Sequence, residues 1–187
     1  MNRSSREIYD ELLAHRCKKR DVDAWDELVS RWNDRLLFYI RRLIDDEQLA
    51  TSLVQEVWLR AIRGIKNLRD GSRLAPWLYT IARRTAMDHF RGTYGSKEDA
   101  STEVIVEAVN ESDWQAELEN VELVHFGLQQ LGVAEREVLT LFFLEDLTLK
   151  EIAGLLEIPV GTVKSRLFKA RRDLRQIIER ESNRHES

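Results

Sequence analysis

The stretch LTLKEIAGLLEIPVGTVKSRLFKARRDL, residues 147–174, holds two amphipathic segments on either side of the break EIPV. In the first, Leu149, Ile152, Ala153 and Leu156 recur at the spacing of one helix face. Thr148 stands at the expected N-cap with Glu151 three residues on, the arrangement of a capping box. In the second, Val163, Leu167, Ala170, Leu174 and Ile178 fall on one stripe, which must face a core. The opposite side of that helix carries Gly161, Ser165, Phe168 and Arg172, with Lys164, Lys169 and Arg175 beside it. Over residues 159–176 six Lys or Arg stand against the single acid Asp173.

A cationic helix can be a solvated face, a membrane-surface helix or a nucleic-acid reader. A solvated face has no need to expose Phe168, and a membrane-surface helix needs a wide apolar face instead. Small residues at the N-terminus, Gly161 and Thr162, allow close approach to a groove. The cations along the sides, Lys164, Lys169 and Arg175, suit phosphates, while Ser165, a lysine and the Phe168 ring suit base edges or thymine methyl groups. This is the layout of a helix-turn-helix whose second helix enters the major groove, a motif shared by many regulators. A merely solvated charged face is the competing reading.

Outward from this segment, the chain has 187 residues, two prolines, eight glycines and 33% charged residues, a balance that favours an all-α protein. No run of about 18 apolar residues is present, so no membrane insertion is expected. The first twenty residues lack the apolar core of a signal peptide, and the lone Cys17 excludes an internal disulfide. These features fit a reducing cytoplasm. The formal net charge of −4 conceals strong segregation. Residues 60–92 carry eight Lys or Arg against two Asp, residues 96–124 one Lys against nine acids, and residues 148–180 eight bases against four acids. His15, His89, His125 and His185 are scattered, and no catalytic, metal or cofactor constellation is expected.

Helical periodicity places helices at 22–44, 47–66 and 74–91, then at 114–130, 134–144, 148–156 and 160–179. Between the second and third, NLRDGSRL breaks the pattern, with Ser72 a candidate N-cap and Pro76 within the first turn. From Gly92 to about Asp113 polar residues dominate, and the apolar run Val104–Val109 is compatible with either a brief helix or a strand. The expected architecture is two small helical domains, 22–92 and 114–180, joined by a flexible acidic linker at 93–113. Residues 1–21 form an unassigned extension and 181–187 a tail. In the first domain Trp77 and Tyr79 accompany Arg73, Arg83, Arg84 and Arg91, as in grooves that stack single-stranded bases. Trp58 and Trp77 also lie on apolar stripes, where core packing is the simpler role.

With these segments read together, the chain resembles a group 4, extracytoplasmic-function sigma factor, the specificity subunit of bacterial RNA polymerase. LATSLVQEVWLRAI (49–62) resembles the family's core-polymerase-binding helix, and RLAPWLYTIARRTAMDHFR (73–91) its promoter-melting and −10-reading segment. AEREVLTLFFLEDLTLKEIAGLLEIPVGTVKSRLFKARRDL (134–174) resembles its −35-reading domain. The resemblance implies that Leu53, Gln55, Glu56 and Trp58 lie on or near the surface gripping the β′ clamp helices. It implies that the loop with Asn67, Arg69, Ser72 and Arg73 captures a flipped −10 base, while Arg83, Arg84 and Arg91 follow the non-template strand. The second domain would sit on the β flap while Gly161, Thr162, Lys164, Ser165, Phe168, Lys169 and Arg172 meet −35 DNA. An anti-sigma partner is common in this group and is expected here. Ser52 replaces an acidic residue usual in the family, Arg84 an Asn, and Gly132-Val133-Ala134 stands where a Pro usually follows the Leu131 position.

Two rivals remain: a stand-alone helix-turn-helix regulator, which leaves residues 49–91 without a purpose, and a protein-binding adaptor, which leaves the Ser165, Phe168 and Arg172 face unexplained. Two weak DNA contacts on one tether act together only at the correct promoter spacing, through effective concentration. The acidic linker is placed to fold back on the basic faces and discourage DNA binding without polymerase. Neutralising the linker acids is therefore expected to raise the free protein's affinity for DNA. An unchanged affinity at low salt would count against the fold-back.

Overall fold

The computed structural model describes residues 5–44, 46–94 and 121–185, with side chains described up to Phe90 in the first part and up to Glu181 in the second, those of residues 121–123 and 125 excepted. Eight α-helices occupy them: α1 Ser5–Lys18, α2 Val22–Leu43, α3 Glu47–Gly64, α4 Leu74–Tyr94, α5 Val121–Gln130, α6 Val133–Leu139, α7 Leu149–Leu156 and α8 Val160–His185. No strand occurs among the described residues. The chain divides into two compact units, the first with α1–α4 and the second with α5–α8. Most of the expected linker, the run Val104–Val109 and the start of the expected helix 114–130 lie outside the described residues.

In the first unit α2 and α3 each start on a carboxylate. Asp21 caps α2 by accepting from the Ala24 N–H at 3.2 Å, and Asp46 caps α3 by accepting from the Leu49 N–H at 3.0 Å. The core comes from Leu28, Trp32, Leu36, Tyr39 and Ile40 of α2, Val54, Val57 and Ala61 of α3, and Leu74, Leu78, Tyr79 and Ala82 of α4. At its centre the Tyr79 ring meets Trp32 edge-on at 6.0 Å and Tyr39 at 5.2 Å. Tyr79 is fully buried, so its ring belongs to the core and is withheld from the base stacking considered above.

Residues ahead of Val22, left unassigned by the sequence, form a helix that packs into this unit. Leu13, Ala14 and Cys17 of α1 are buried, and burial pushes the Cys17 thiol up to about 11. Ion pairs fasten α1 to α2: Arg31 Nε to the buried Asp10 at 2.7 Å, and Arg16 to Asp21 at 2.8 Å and to Glu27 at 3.7 Å.

In the second unit α8 is the common partner, packed by α5, α6 and α7. Its stripe of Val163, Leu167, Ala170 and Leu174 is buried as the period requires, and the helix continues past the expected end to His185. The capping box at α7 is formed in both directions: Thr148 Oγ1 accepts from the Glu151 N–H at 3.3 Å, and Glu151 accepts from the Thr148 N–H at 2.9 Å. Glu157 ends α7 in the left-handed region at φ 58°, and the Pro159 carbonyl receives the Val163 N–H at 3.1 Å as α8 begins. The expected helix 134–144 is α-helical only to Leu139, then widens into a π turn over Thr140–Leu144. There the Glu145 N–H reaches the Thr140 carbonyl at 3.1 Å, while the Thr140 hydroxyl donates back to the Arg136 carbonyl at 2.9 Å.

Gly127 lets α5 close on α8. A Cβ at this position would stand 2.3 Å from Leu174 Cδ1, inside the core. Gly127→Val is expected to cost about 1–3 kcal/mol through overpacking. The check is a lowered midpoint in urea unfolding followed by circular dichroism.

Candidate nucleic-acid interface

The N-terminal half of α8 presents the predicted face outward. Gly161, Lys164, Phe168, Lys169 and Arg172 are exposed, and Thr162 and Ser165 half-buried. Phe168 keeps 44% of its surface accessible although three helices pack against the other side of α8. A Cβ on Gly161 would meet nothing within 4 Å, so internal packing makes no demand for glycine there. Ser165 donates its hydroxyl to the Thr162 carbonyl at 3.0 Å, which orders the first turn. Three of the cations on or beside this face are already partnered. Lys169 Nζ sits 2.6 Å from Glu135 of α6, Arg172 3.1 Å from Asp173, and Arg175 3.0 Å from Glu179. Arg171 lies over the Phe143 ring at 5.4 Å, away from this face.

In the first unit the break between α3 and α4 is a pair of short 3-10 turns, Ile65–Asn67 and Gly71–Arg73, pinned by buried Ile65, Leu68 and Leu74. This pinning leaves Asn67, Arg69 and Arg73 exposed. Ser72, the expected helix cap, does not cap α4. It donates its hydroxyl to Asp70 at 2.6 Å, and Asp70 also accepts the Ser72 N–H at 3.0 Å. The carboxylate, with full charge and two oxygens, outcompetes the hydroxyl as acceptor. The loop rests on α1: a Cβ on Gly71 would stand 3.0 Å from Glu11 Cγ and 3.2 Å from its carbonyl oxygen.

Arg73, just ahead of α4, falls on the face of Trp77 and Arg84 by helical period. Arg84 is exposed, Arg83 and Trp77 are half-buried, and the Arg91 side chain lies outside the described residues. Trp77 lies against Gly64, its Cζ2 3.4 Å from where a Cβ would be.

On α3, Gln55 is exposed and Glu56 half-buried, whereas Leu53 and Trp58 are each only 8% exposed. The Trp58 indole donates to Asn33 at 3.2 Å, and Glu56 pairs with Arg60 at 2.9 Å. Arg60 also reaches Asp88 of α4 at 2.8 Å. The outer face of α3 instead shows Leu59 at 49% and Ile62 at 53% exposure, on the same side as Gln55. Neither was singled out from the sequence. The signal was present in their spacing: both fall off the stripe of Leu53, Val57 and Ala61, and large apolar residues off a core stripe invite a partner.

Comparison with known proteins matches residues 28–94 to Sigma-70 region 2 and residues 122–174 to Sigma-70, region 4. The chain is 34% identical over 175 residues to RNA polymerase sigma-H factor of Pseudomonas aeruginosa, covering 87% of this chain and 90% of that one. It is 30% identical over 179 residues to the extracytoplasmic-function sigma-E factor of Escherichia coli, covering 89% and 93%. Against SigW of Bacillus subtilis it is 29% identical over 170 residues, covering 85% and 91%. Its fold resembles that of CnrH, solved with the cytosolic domain of CnrY, at TM-score 0.64 and 23% identity, covering 91% of this chain and 97% of that one. It also resembles the sigma factor RpoE of Bartonella quintana, solved with the anti-sigma factor NepR, at TM-score 0.62 and 20% identity over 82% and 96%. With both regions in order on an all-helical chain, and the arrangement expected from the sequence met by relatives along most of its length, this protein belongs to the extracytoplasmic-function RNA polymerase sigma factors of the sigma-70 family.

Proposed function

We propose that the two units divide the sigma factor's work as follows. The bare face of α8 reads the −35 element through Gly161, Thr162, Lys164, Ser165, Phe168, Lys169 and Arg172. Phosphate contacts from the lysines set the register, and Ser165, Phe168 and Arg172 approach base edges. The loop with Asn67, Arg69, Ser72 and Arg73 receives an unstacked base of the −10 strand, and Arg83, Arg84 and Arg91 track the backbone beyond it. The outer face of α3, with Gln55, Glu56, Leu59 and Ile62, docks on core polymerase at the β′ clamp helices, while Leu53 and Trp58 support that face from beneath. The second unit docks on the β flap. The protein performs no chemistry of its own and changes the promoter choice of the polymerase it joins. Its setting is the bacterial cytoplasm.

The observation that carries this reading is the exposure of Phe168 among cations on a helix whose opposite stripe is sealed in the core. An anti-sigma factor is proposed as a further partner, since RpoE, of similar fold, was solved with one.

The deciding measurement is run-off transcription with core polymerase and a promoter library. Added protein is expected to form a complex and confer one promoter preference; without either, the reading fails. Arg172→Ala is expected to weaken −35-dependent initiation by about 1–3 kcal/mol, the worth of a lost base contact. Wild-type affinity in that variant would remove Arg172 from the interface. Leu59→Ser combined with Ile62→Ser is expected to reduce core-polymerase affinity at least about tenfold, as anchor residues of an interface do, with an unchanged thermal midpoint. Undiminished affinity would move the docking face elsewhere.

A further inference from the structure

Lys169 projects from the face of α8 assigned to DNA, yet its ammonium is held from the adjoining helix. Glu135, in the first turn of α6, places Oε1 2.6 Å from Lys169 Nζ across 34 residues of sequence. The pair is asymmetric: the lysine side chain is 56% exposed and the glutamate side chain 16%. Burial pulls the Glu135 carboxyl toward its neutral form. The Lys169 hydrogen bond, a backbone N–H and the charges of Lys169 and Arg166 outweigh that pull and hold it below the usual carboxylate range. Glu135 is thus a fixed, ionised acid beside the groove-facing side of α8.

The seat of this acid is shaped by Gly132. A Cβ at Gly132 would stand 2.6 Å from Glu135 Oε2, so a side chain there makes the tip of this flexible acid shift. The backbone there, φ −58° and ψ 152°, is open to any residue, so the demand for glycine is spatial. Gly132, Glu135 and Lys169 form one unit in which the first leaves room for the second and the second holds the third.

We propose that Glu135 is an affinity-setting counter-charge for the recognition helix: it occupies Lys169 in the free protein and yields it to a DNA phosphate when the helix enters the groove. The two partners, carboxylate and phosphate, compete for the same donor. An ion pair with one exposed member is weak enough to be exchanged, and the exchange subtracts from the net gain of the phosphate contact. Because a phosphate contact is blind to sequence, the subtraction falls equally on correct and incorrect promoters and limits non-specific retention. The inference rests on the −35 assignment of α8 made above.

The test uses holoenzyme assembled with the full chain, and a promoter that the wild-type holoenzyme selects from a randomised library. Binding is measured across a salt series for wild type, Glu135→Gln, Gly132→Ala, Lys169→Gln and the double variant Glu135→Gln with Lys169→Gln. Glu135→Gln and Gly132→Ala are each expected to tighten binding about two- to fivefold and to steepen the salt dependence by about one contact. Scrambling the −35 element is expected to leave that gain in place, and Lys169→Gln to abolish it. A gain that survives Lys169→Gln would mean that Glu135 acts on DNA directly and would overturn the proposal. Unchanged or weaker binding in both Glu135→Gln and Gly132→Ala would also overturn it. If Lys169→Gln and Arg172→Ala both bind as wild type, the assignment of α8 to DNA falls first and takes the inference with it. Gly132→Ala keeps every charge, so agreement between the two gain variants separates loss of the pair from loss of an acid or a damaged fold.

Discussion

Val163, Leu167, Ala170 and Leu174 bind α8 into the second unit, and that single buried stripe orients everything the helix carries. Burying a valine or leucine side chain contributes about 1.5–3 kcal/mol, far more than any one surface contact on the same helix. Rotation of α8 about its axis would expose this stripe, so its opposite face is held outward without further support. Gly127 permits the close approach of α5 that completes the seal, and the short turn through Glu157 and Pro159 sets where α8 departs from α7.

The first unit uses the same economy with aromatic residues. Tyr79, Trp32 and Tyr39 interlock at the centre, joining α2 to α4, while Leu68 and Leu74 anchor the connection between α3 and α4 from below. The charged and polar side chains of that connection are left outside because the apolar ones are drawn in. Helix α1 adds a floor under it, with Glu11 against Gly71, and is itself tied down by the buried Asp10 and its partner Arg31. A segment with no sequence motif of its own thereby shapes the loop assigned to the −10 strand.

Charge works differently in the structure than in the count. The basic blocks at 60–92 and 148–180 suggest open cationic surfaces. Several of these cations already hold carboxylates: Lys169 with Glu135, Arg172 with Asp173, Arg175 with Glu179, and Arg60 with Glu56 and Asp88. Exposed pairs of this kind contribute little to stability, so they are readily traded for phosphates. Under the proposed function, DNA binding by Lys169 and Arg172 is an exchange of partners rather than the filling of an empty site.

The sequence by itself determined the all-helical class, the helices α2, α3, α4, α7 and the start of α8, and the outward side of α8, because a 3.6-residue period ties each buried stripe to a defined opposite face. The Thr148 and Glu151 box was legible for the same reason: capping is local, and both residues lie within one turn. Only the tertiary structure decided matters that need a second element. It set the Trp58 indole on Asn33 of α2 and Arg60 on Asp88 of α4, pairings that depend on where those helices lie beside α3. It brought α1 beneath the loop and seated Glu135 beside Lys169. Contacts between residues far apart in the chain leave no periodic trace in it, since they arise only when packing has set the helices side by side.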